Sequence, residues 1–439
     1  MTSLTLYDGV DQIGGNKYLI QDRETKIFLD FGMAFGSRRR FYDPPFLSPR
    51  SSDGLLELGI LPKLDGIYRF DSSEKDIDAI LLSHVHLDHS GYVSFLKREI
   101  PVYCGETTAR ILKTLSEMRA TSFEQDFAGI EFKTFRTGDK IKIDSMEIEP
   151  IHVDHSVAGA YGFIIQTSEG SLAYTGDFRI HGPKKSMTED FKEKAAEEPP
   201  DLVLCEGTNL MGATVSSEAE VVSKLSNIVK NTSGLVLADF SQTDTDRLTS
   251  FLQAASKNGR RLALSTRQAY LLSRLRGDPH LGVPDIGGED ILIFRKSKKR
   301  YMKWEQSLLE LPNVVDSSKI AGMQSEVVLV TSFYDFEELV EIDPVSGSVF
   351  ILSASEPFNE EMQIDFERLK AWLDHYGVPQ YHVHVSGHIM PLQLRQMLEY
   401  ISPKKVYPIH TESPELCSRF LRGLKSEVIK PEKAKEYTL

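Results

Sequence analysis

At 439 residues the chain is too long for one ordinary core, so two domains, or one domain carrying a large insertion, are expected. Hydrophobic residues at 41% and charged residues at 26% are ordinary for a soluble globular protein, and no apolar run approaches the roughly 20 residues of a membrane span. A net charge of −13 argues against an evenly basic, non-specific nucleic-acid binder, while leaving local fields open. The opening "MTSLTLYDGVDQIGGNKYLI" lacks a basic segment followed by an apolar one, so no secretory signal is read there. Cys104, Cys205 and Cys417 are too few and too far apart for a disulfide framework. A cytoplasmic location is the expectation.

In chain order, "NKYLIQ" and "TKIFLDFG" are predicted hairpin partners and "DAILLSH" an apolar strand. "GETTARILKTLSEMRA" has helical spacing, and "EIEPIHVDH", "YGFIIQT" and "SLAYTGD" resume the strands. "MTEDFKEKAAEEPPD" reads as a polar, helix-like connector. From about Asp201 the texture changes. "DLVLCEG", "LVLADF" and "RRLALST" alternate with the helical "SSEAEVVSKLSNIVKNTSG" and "DTDRLTSFLQAASKNG", a rhythm that implies a parallel sheet with crossover helices. "EVVLVTS" and "GSVFILSAS" continue it, and after the helical "EEMQIDFERLKAWLDHYG" come "YHVHVSGH", another helix and "KKVYPIH".

The stretch "LLSHVHLDHSGYVSFL" places His84, His86, Asp88 and His89 directly after an apolar run. Residues i and i+2 of an extended segment point the same way, so His84 and His86 can share one metal, while Asp88 and His89 in the turn face a second. Three other strand ends supply the rest: His155 in "PIHVDHS", Asp177 in "LAYTGDF" and His410 in "VYPIHTE". One metal takes His84, His86 and His155; the other takes Asp88, His89 and His410; Asp177 bridges both. Imidazole and carboxylate without thiolate suit zinc, with manganese as the alternative. Two metals about 3.5–4 Å apart can hold a hydroxide and clamp the oxygens of an in-line phosphoryl displacement, so hydrolysis is the expected chemistry. Asp30, at the end of "TKIFLDFG", is expected to orient a ligand histidine through a hydrogen bond.

"FLDFG", "SHVHLDHSG", the later His155 and "YTGDF" resemble the ordered motifs of the metallo-β-lactamase superfamily. "LVLCEGT", "VHVSGHI" and "VYPIHTESPE" are similar to the three further motifs of its β-CASP branch, whose members cut nucleic acids. The likeness is closest to the RNase J type, in the compact form common in archaea. It implies an αββα metallo-β-lactamase sandwich over residues 1–207 and 356–439, with an α/β parallel-sheet β-CASP domain inserted at 208–355. It also implies a metal-dependent ribonuclease, exo- or endonucleolytic, acting in RNA processing or decay with RNA as substrate and no membrane partner. Self-pairing as a homodimer is left open. The third motif residue is histidine in RNA-cutting members and typically valine in DNA-cutting ones; here it is His410. The resemblance assigns Asp88, Glu206 and His388 to catalysis, with His388 polarised by Glu206 and acting as general acid toward the leaving 3′-oxygen.

Ser386 and Gly387 lead into a helix N-terminus and are candidates to bind phosphate. His384 is either a packing residue or a partner behind a ligand. In "SQTDTDRL" Ser241 and Thr243 are candidate caps and Arg247 a candidate phosphate holder. "SRRRF" and "FRKSKKRYMKW" are the densest basic runs; in the second, Lys296, Lys298 and Lys299 are candidates to follow an RNA backbone, against a plain solvated loop. Three rival functions remain: a small-molecule hydrolase of lactonase or thioesterase kind, a DNA-directed β-CASP nuclease, and a non-catalytic RNA-binding subunit, against which every ligand position being filled weighs heavily. A small ester needs neither the inserted domain nor His388.

Overall fold

A computed structural model describes residues 1–43, 46–118, 123–211, 216–354 and 360–439. The chain divides into two compact units, one of Met1–Ala213 with Gly387–Leu439 and the other of Thr214–Ser386.

Alternation builds the first unit. Leu4 and Leu6, Phe163 and Ile165, Leu172 and Tyr174, Leu202 and Leu204, and Tyr407 and Ile409 are all buried in one cluster. Successive strand side chains point to opposite faces, so each i, i+2 pair marks an inward face. Two seven-stranded sheets share that core. The first runs in the order Glu436–Thr438, Thr2–Asp8, Lys17–Asp22, Thr25–Leu29, Ala79–Leu82, Val102–Gly105, Phe132–Phe135. The second runs Glu427–Val428, Lys405–Ile409, Leu202–Glu206, Ser171–Tyr174, Tyr161–Gln166, Met146–His152, Ile141–Ile143. On the outer face of the second sheet Ala173, Val203 and Val406 lie under Phe191 and Ala195 of helix Lys185–Glu197 and Leu394 and Leu398 of helix Pro391–Ile401. The segment read as a polar, helix-like connector is a helix, and it is packed through the fully buried Phe191. Helix Glu106–Met118 buries Ile111 and Leu112; the last two residues of that helical reading, 119 and 120, lie outside the described residues.

Strand direction positions the site. Ser171–Tyr174, Leu202–Glu206 and Lys405–Ile409 run parallel to one another. Met146–His152 shares their direction, being antiparallel to Tyr161–Gln166, which is itself antiparallel to Ser171–Tyr174. Their carboxyl ends therefore meet at one edge, where His155, Asp177, Glu206 and His410 sit.

The second unit is one all-parallel sheet in the order Val314–Val315, Ile291–Phe294, Arg261–Ser265, Val327–Val330, Val236–Asp239, Val349–Leu352, Gln380–His382. Its central strands are near-continuous apolar runs because helices cover both faces of such a sheet. Leu202–Glu206 pairs with Ser171–Tyr174 and Lys405–Ile409 and so lies in the first unit, as the 1–207 expectation has it; that unit runs on to Ala213, a few residues past the expected start of the insertion at 208. The expected return at 355/356 lies outside the described residues, but Gln380–His382 pairs with Val349–Leu352, which carries the second unit on to Ser386. Among the described residues no helix is long and apolar enough to cross a membrane.

Candidate metal centre

The fully buried strand Ala79–Leu82 delivers the chain to His84. The turn that follows is held from behind by backbone bonds: Phe31 N–H donates to the His89 carbonyl at 2.8 Å, Met33 N–H to Leu87 at 2.8 Å and Asn16 N–H to Asp88 at 3.0 Å. Gly32 permits this approach, since a Cβ there would lie 1.7 Å from the Asp88 carbonyl oxygen.

Two groups of ligand-type side chains result, His84, His86, His155 and Asp177, and Asp88, His89, His410 and Asp177. Within each, the ligand atoms lie within 4.8 Å of one another, and Asp177 belongs to both. A third overlapping group joins Asp177 and His410 to Glu206 and His388. The hydrogen-bond network assigns the ring tautomers. Asp30 accepts from His89 Nδ1 at 2.7 Å, from Ser83 N–H and Oγ at 2.7 Å each, and from Tyr174 Oη at 2.5 Å. Ser83 Oγ, spending its proton on Asp30, accepts from His84 Nδ1 at 3.0 Å. Thr208 Oγ1 donates to Glu206 at 2.6 Å and accepts from His410 Nδ1 at 2.8 Å. The Gly387 carbonyl accepts from His155 Nδ1 at 2.7 Å. Four rings thus turn Nε2 into the cluster, and His86 presents Nδ1, which lies 3.0 Å from His84 Nε2 and 3.2 Å from His155 Nε2.

Electrostatics fit a cation here. Burial, then the neighbouring histidines, holds His84 and His155 well below the ordinary imidazole value, and burial lowers His86 to about 4. Neutral imidazole is the form that ligates. Burial alone would lower His89, but Asp177, Asp30 and Asp88 outweigh it and raise it well above its ordinary value. Asp177 Oδ1 is buried with no hydrogen-bond partner. A buried carboxylate oxygen left orphaned among lone pairs is costly unless a cation meets it, so the donor set fits divalent metal.

His388 lies at the rim with its side chain 20% exposed. Its Nδ1 is 3.0 and 3.1 Å from the two Glu206 oxygens. Burial pulls its pKa down, yet Glu206, then Asp177, raises it to about 9. The pairing with Glu206 thus favours the protonated form of the His388 ring at neutral pH.

Other expected residues sit elsewhere. Arg247 is fully buried in the second unit, with Nη2 2.9 Å from Glu218 and Nη1 3.0 Å from the Ser353 carbonyl, so its guanidinium is committed inside the fold and does not face a phosphate. The helix it begins is capped by Asp244, which accepts from Arg247 N–H; Ser241 and Thr243 bond each other instead. His384 joins no metal-capable group among the described residues; it lies against Arg247 and His382 in the second unit. Gly387 serves through its carbonyl on His155, and a Cβ there would come within 2.6 Å of Ser156 Oγ. Ser386 is half-buried beside it. Lys296 pairs with Asp335 at 2.5 Å and Lys298 pairs with Glu305, while Lys299 is exposed. Sequence reasoning missed Asn16, Ser83, Tyr174 and Thr208. Only Ser83, adjacent to His84, and Thr208, in "CEGT", carried a local signal.

Residues 68–217 match a family model described as a beta-lactamase superfamily domain. The chain is 26% identical over 369 residues to Ribonuclease J of Sinorhizobium meliloti, covering 81% of this chain and 61% of that protein. It is 24% identical over 425 residues to Ribonuclease J of Mycoplasma pneumoniae, covering 94% and 68%, and 25% identical over 420 residues to that of Thermus thermophilus, covering 92% and 67%. The chain therefore spans about three fifths to two thirds of the length of these relatives. A crystal structure of a protein of unknown function from Enterococcus faecalis superposes over the whole of both chains with a TM-score of 0.81 at 22% identity, which shows the fold. Over residues 68–217 the chain thus resembles the metallo-β-lactamase superfamily, and along most of its length it is similar to proteins named Ribonuclease J.

Proposed function

We propose that the protein is a metal-dependent ribonuclease that hydrolyses RNA phosphodiester bonds, with the second unit as the inserted β-CASP domain. The observation that carries this is the His388–Glu206 pair at the rim of two ligand groups sharing Asp177, because a phosphodiester needs both charge neutralisation and a proton for its leaving oxygen. Two divalent ions, zinc first by donor type with manganese next, would be held by His84, His86 and His155 and by Asp88, His89 and His410, with Asp177 common to both. When bound, they supply Lewis-acid neutralisation of phosphate charge and activation of water.

The chain's own residues do the rest. Asp30, Ser83, Thr208 and the Gly387 carbonyl fix the ligand rings from behind, so little reorganisation is needed when substrate arrives. Glu206 keeps His388 protonated and aims its Nε2 outward, toward the 3′-oxygen that departs as the P–O bond breaks. His410 matches the RNA-directed form of the third β-CASP motif, which favours RNA over DNA, and the relatives named Ribonuclease J support the same substrate. The three cysteines are free and buried, compatible with work in the cytoplasm.

The test incubates metal-loaded protein with labelled single-stranded RNA, the matching DNA, and a chromogenic lactone and thioester. RNA turnover that disappears in Asp177→Asn is the expected result. Faster turnover of DNA or of either ester overturns the RNA assignment.

A further inference from the structure

The parallel sheet of the second unit holds a cavity of about 420 Å³ beyond the carboxyl ends of Val236–Asp239, Arg261–Ser265, Ile291–Phe294 and Val327–Val330. Open α/β sheets bind ligands at this end, where the strand order reverses. That reversal occurs here: from Arg261–Ser265 the chain moves outward to Ile291–Phe294 and Val314–Val315, then returns to place Val327–Val330 beside Val236–Asp239. The volume lies within the roughly 300–1,000 Å³ of small-ligand sites.

The lining is divided by chemistry. Lys296, Lys298 and the exposed Arg267 supply cations, Phe294 an apolar floor, and Tyr334, 79% exposed and edge-on to Phe333, a solvent-facing aromatic ring. The two lysines are not loose surface charges. Asp335 holds Lys296 at 2.5 Å and the buried Glu305 holds Lys298, so both ammonium groups are oriented before any ligand arrives, which lowers the entropy lost on binding. Asp239 also faces the cavity; burial, then Asp335, pushes its carboxyl up to about 7, which reduces the negative charge that an entering phosphate would meet. Fixed cations beside an exposed ring are the combination that grips a phosphate and stacks a base.

We propose that this cavity binds one ribonucleotide, its phosphate against Lys296, Lys298 and Arg267 and its base on Tyr334. None of its lining residues belongs to the ligand groups, and all of them lie in the second unit. Its occupant is either one unit of an RNA chain or a free mononucleotide of the kind RNA hydrolysis releases. The choice of a ribonucleotide over another phosphate ester rests on the ribonuclease reading.

The test titrates the full chain, stripped of metal with EDTA, with AMP, GMP, CMP, UMP and inorganic phosphate in a calorimeter. One-to-one binding of at least one mononucleotide is expected, weakened about tenfold in Tyr334→Ala and in Arg267→Ala and unchanged in Asp177→Asn. Both altered side chains are exposed, so the variants fold. A short 2′-O-methyl RNA that resists cleavage separates the two sources: if the same variants weaken it, the occupant is a unit of the chain, and if they spare it, the occupant is the free nucleotide. Absence of any mononucleotide binding, binding lost in Asp177→Asn but kept in both cavity variants, or inorganic phosphate binding as tightly as the nucleotides would each overturn the proposal. RNA cleavage without nucleotide binding sinks this inference alone; nucleotide binding without cleavage sinks the ribonuclease reading alone.

Discussion

Asp30 shows how a single side chain can order two groups of ligand-type residues to which it does not belong. Its carboxylate collects His89, Ser83 and Tyr174, and through Ser83 it also fixes the tautomer of His84. Removing it frees rings in both ligand groups at once. Asp30→Ala should lower metal affinity about 10- to 100-fold, the usual scale for a partner behind a ligand, as measured by competition with a chromogenic chelator. Unchanged affinity in a folded variant would mean the rings are held by packing alone. The role proposed for His388 makes the opposite case, a residue needed for rate and not for metal. His388→Ala should keep both metals and lose about 10²- to 10⁴-fold in rate, and Glu206→Gln should lose less in the same direction. A substrate with a sulfur leaving atom, which needs little protonation, should recover much of that rate in His388→Ala but none in His86→Ala. Loss of metal from His388→Ala would place it among the ligands, as the overlapping third group with Glu206 allows.

At the scale of elements, strand ends were legible and the partners behind them were not. "DAILLSHVHLDH" announces itself because an apolar strand and four ligand-type residues are contiguous. The network that orients the ligands joins residues 59, 144, 202 and 232 positions apart, in Asp30–His89, Asp30–Tyr174, Thr208–His410 and His155–Gly387, and no local pattern encodes such pairs. The helical character of Lys185–Glu197 was legible but its packing was not, for a related reason: one buried ring, Phe191, among charges looks like a connector until a sheet face is present to receive it. Arg247 failed differently. Its place near a turn that precedes a helix suggested phosphate, but Arg247 lies in the first turn of helix Thr245–Lys257 with its side chain fully buried, where Glu218 meets it. Arg247→Ala should therefore destabilise the second unit by about 3–5 kcal/mol, because it leaves a buried carboxylate uncompensated. Denaturant unfolding measures this, and a loss below about 1 kcal/mol would mean the pair is not buried in solution. The salt dependence of RNA binding should be unchanged at temperatures where the variant stays folded, since no phosphate contact is lost.

For the molecule as a whole, the two ligand groups should answer acid differently. Metal must displace any proton its ligands carry. In the group of His84, His86 and His155, burial already holds the imidazoles neutral, with His86 at about 4, so at neutral pH an ion enters without releasing a proton. In the group containing His89, the carboxylates of Asp177, Asp30 and Asp88 keep that ring protonated at pH 7. The proton on Nδ1 stays there, donated to Asp30, so the proton displaced is the one on Nε2. The sign follows from the raised value: the proton is fully present below it, so apparent affinity at this site falls about tenfold for each unit of acidification through neutral pH. The first site should hold its affinity until pH approaches about 4, where His86 begins to take up its proton. Acid titration of the loaded protein should therefore release the ions in two steps, the His89 site first, and calorimetry in buffers of different ionisation enthalpy should find about one proton released when both sites fill at pH 7. Release of about two would mean that His388 gives up its proton as well and ligates, and simultaneous loss of both ions would mean that Asp177 couples the sites too tightly for either to empty alone.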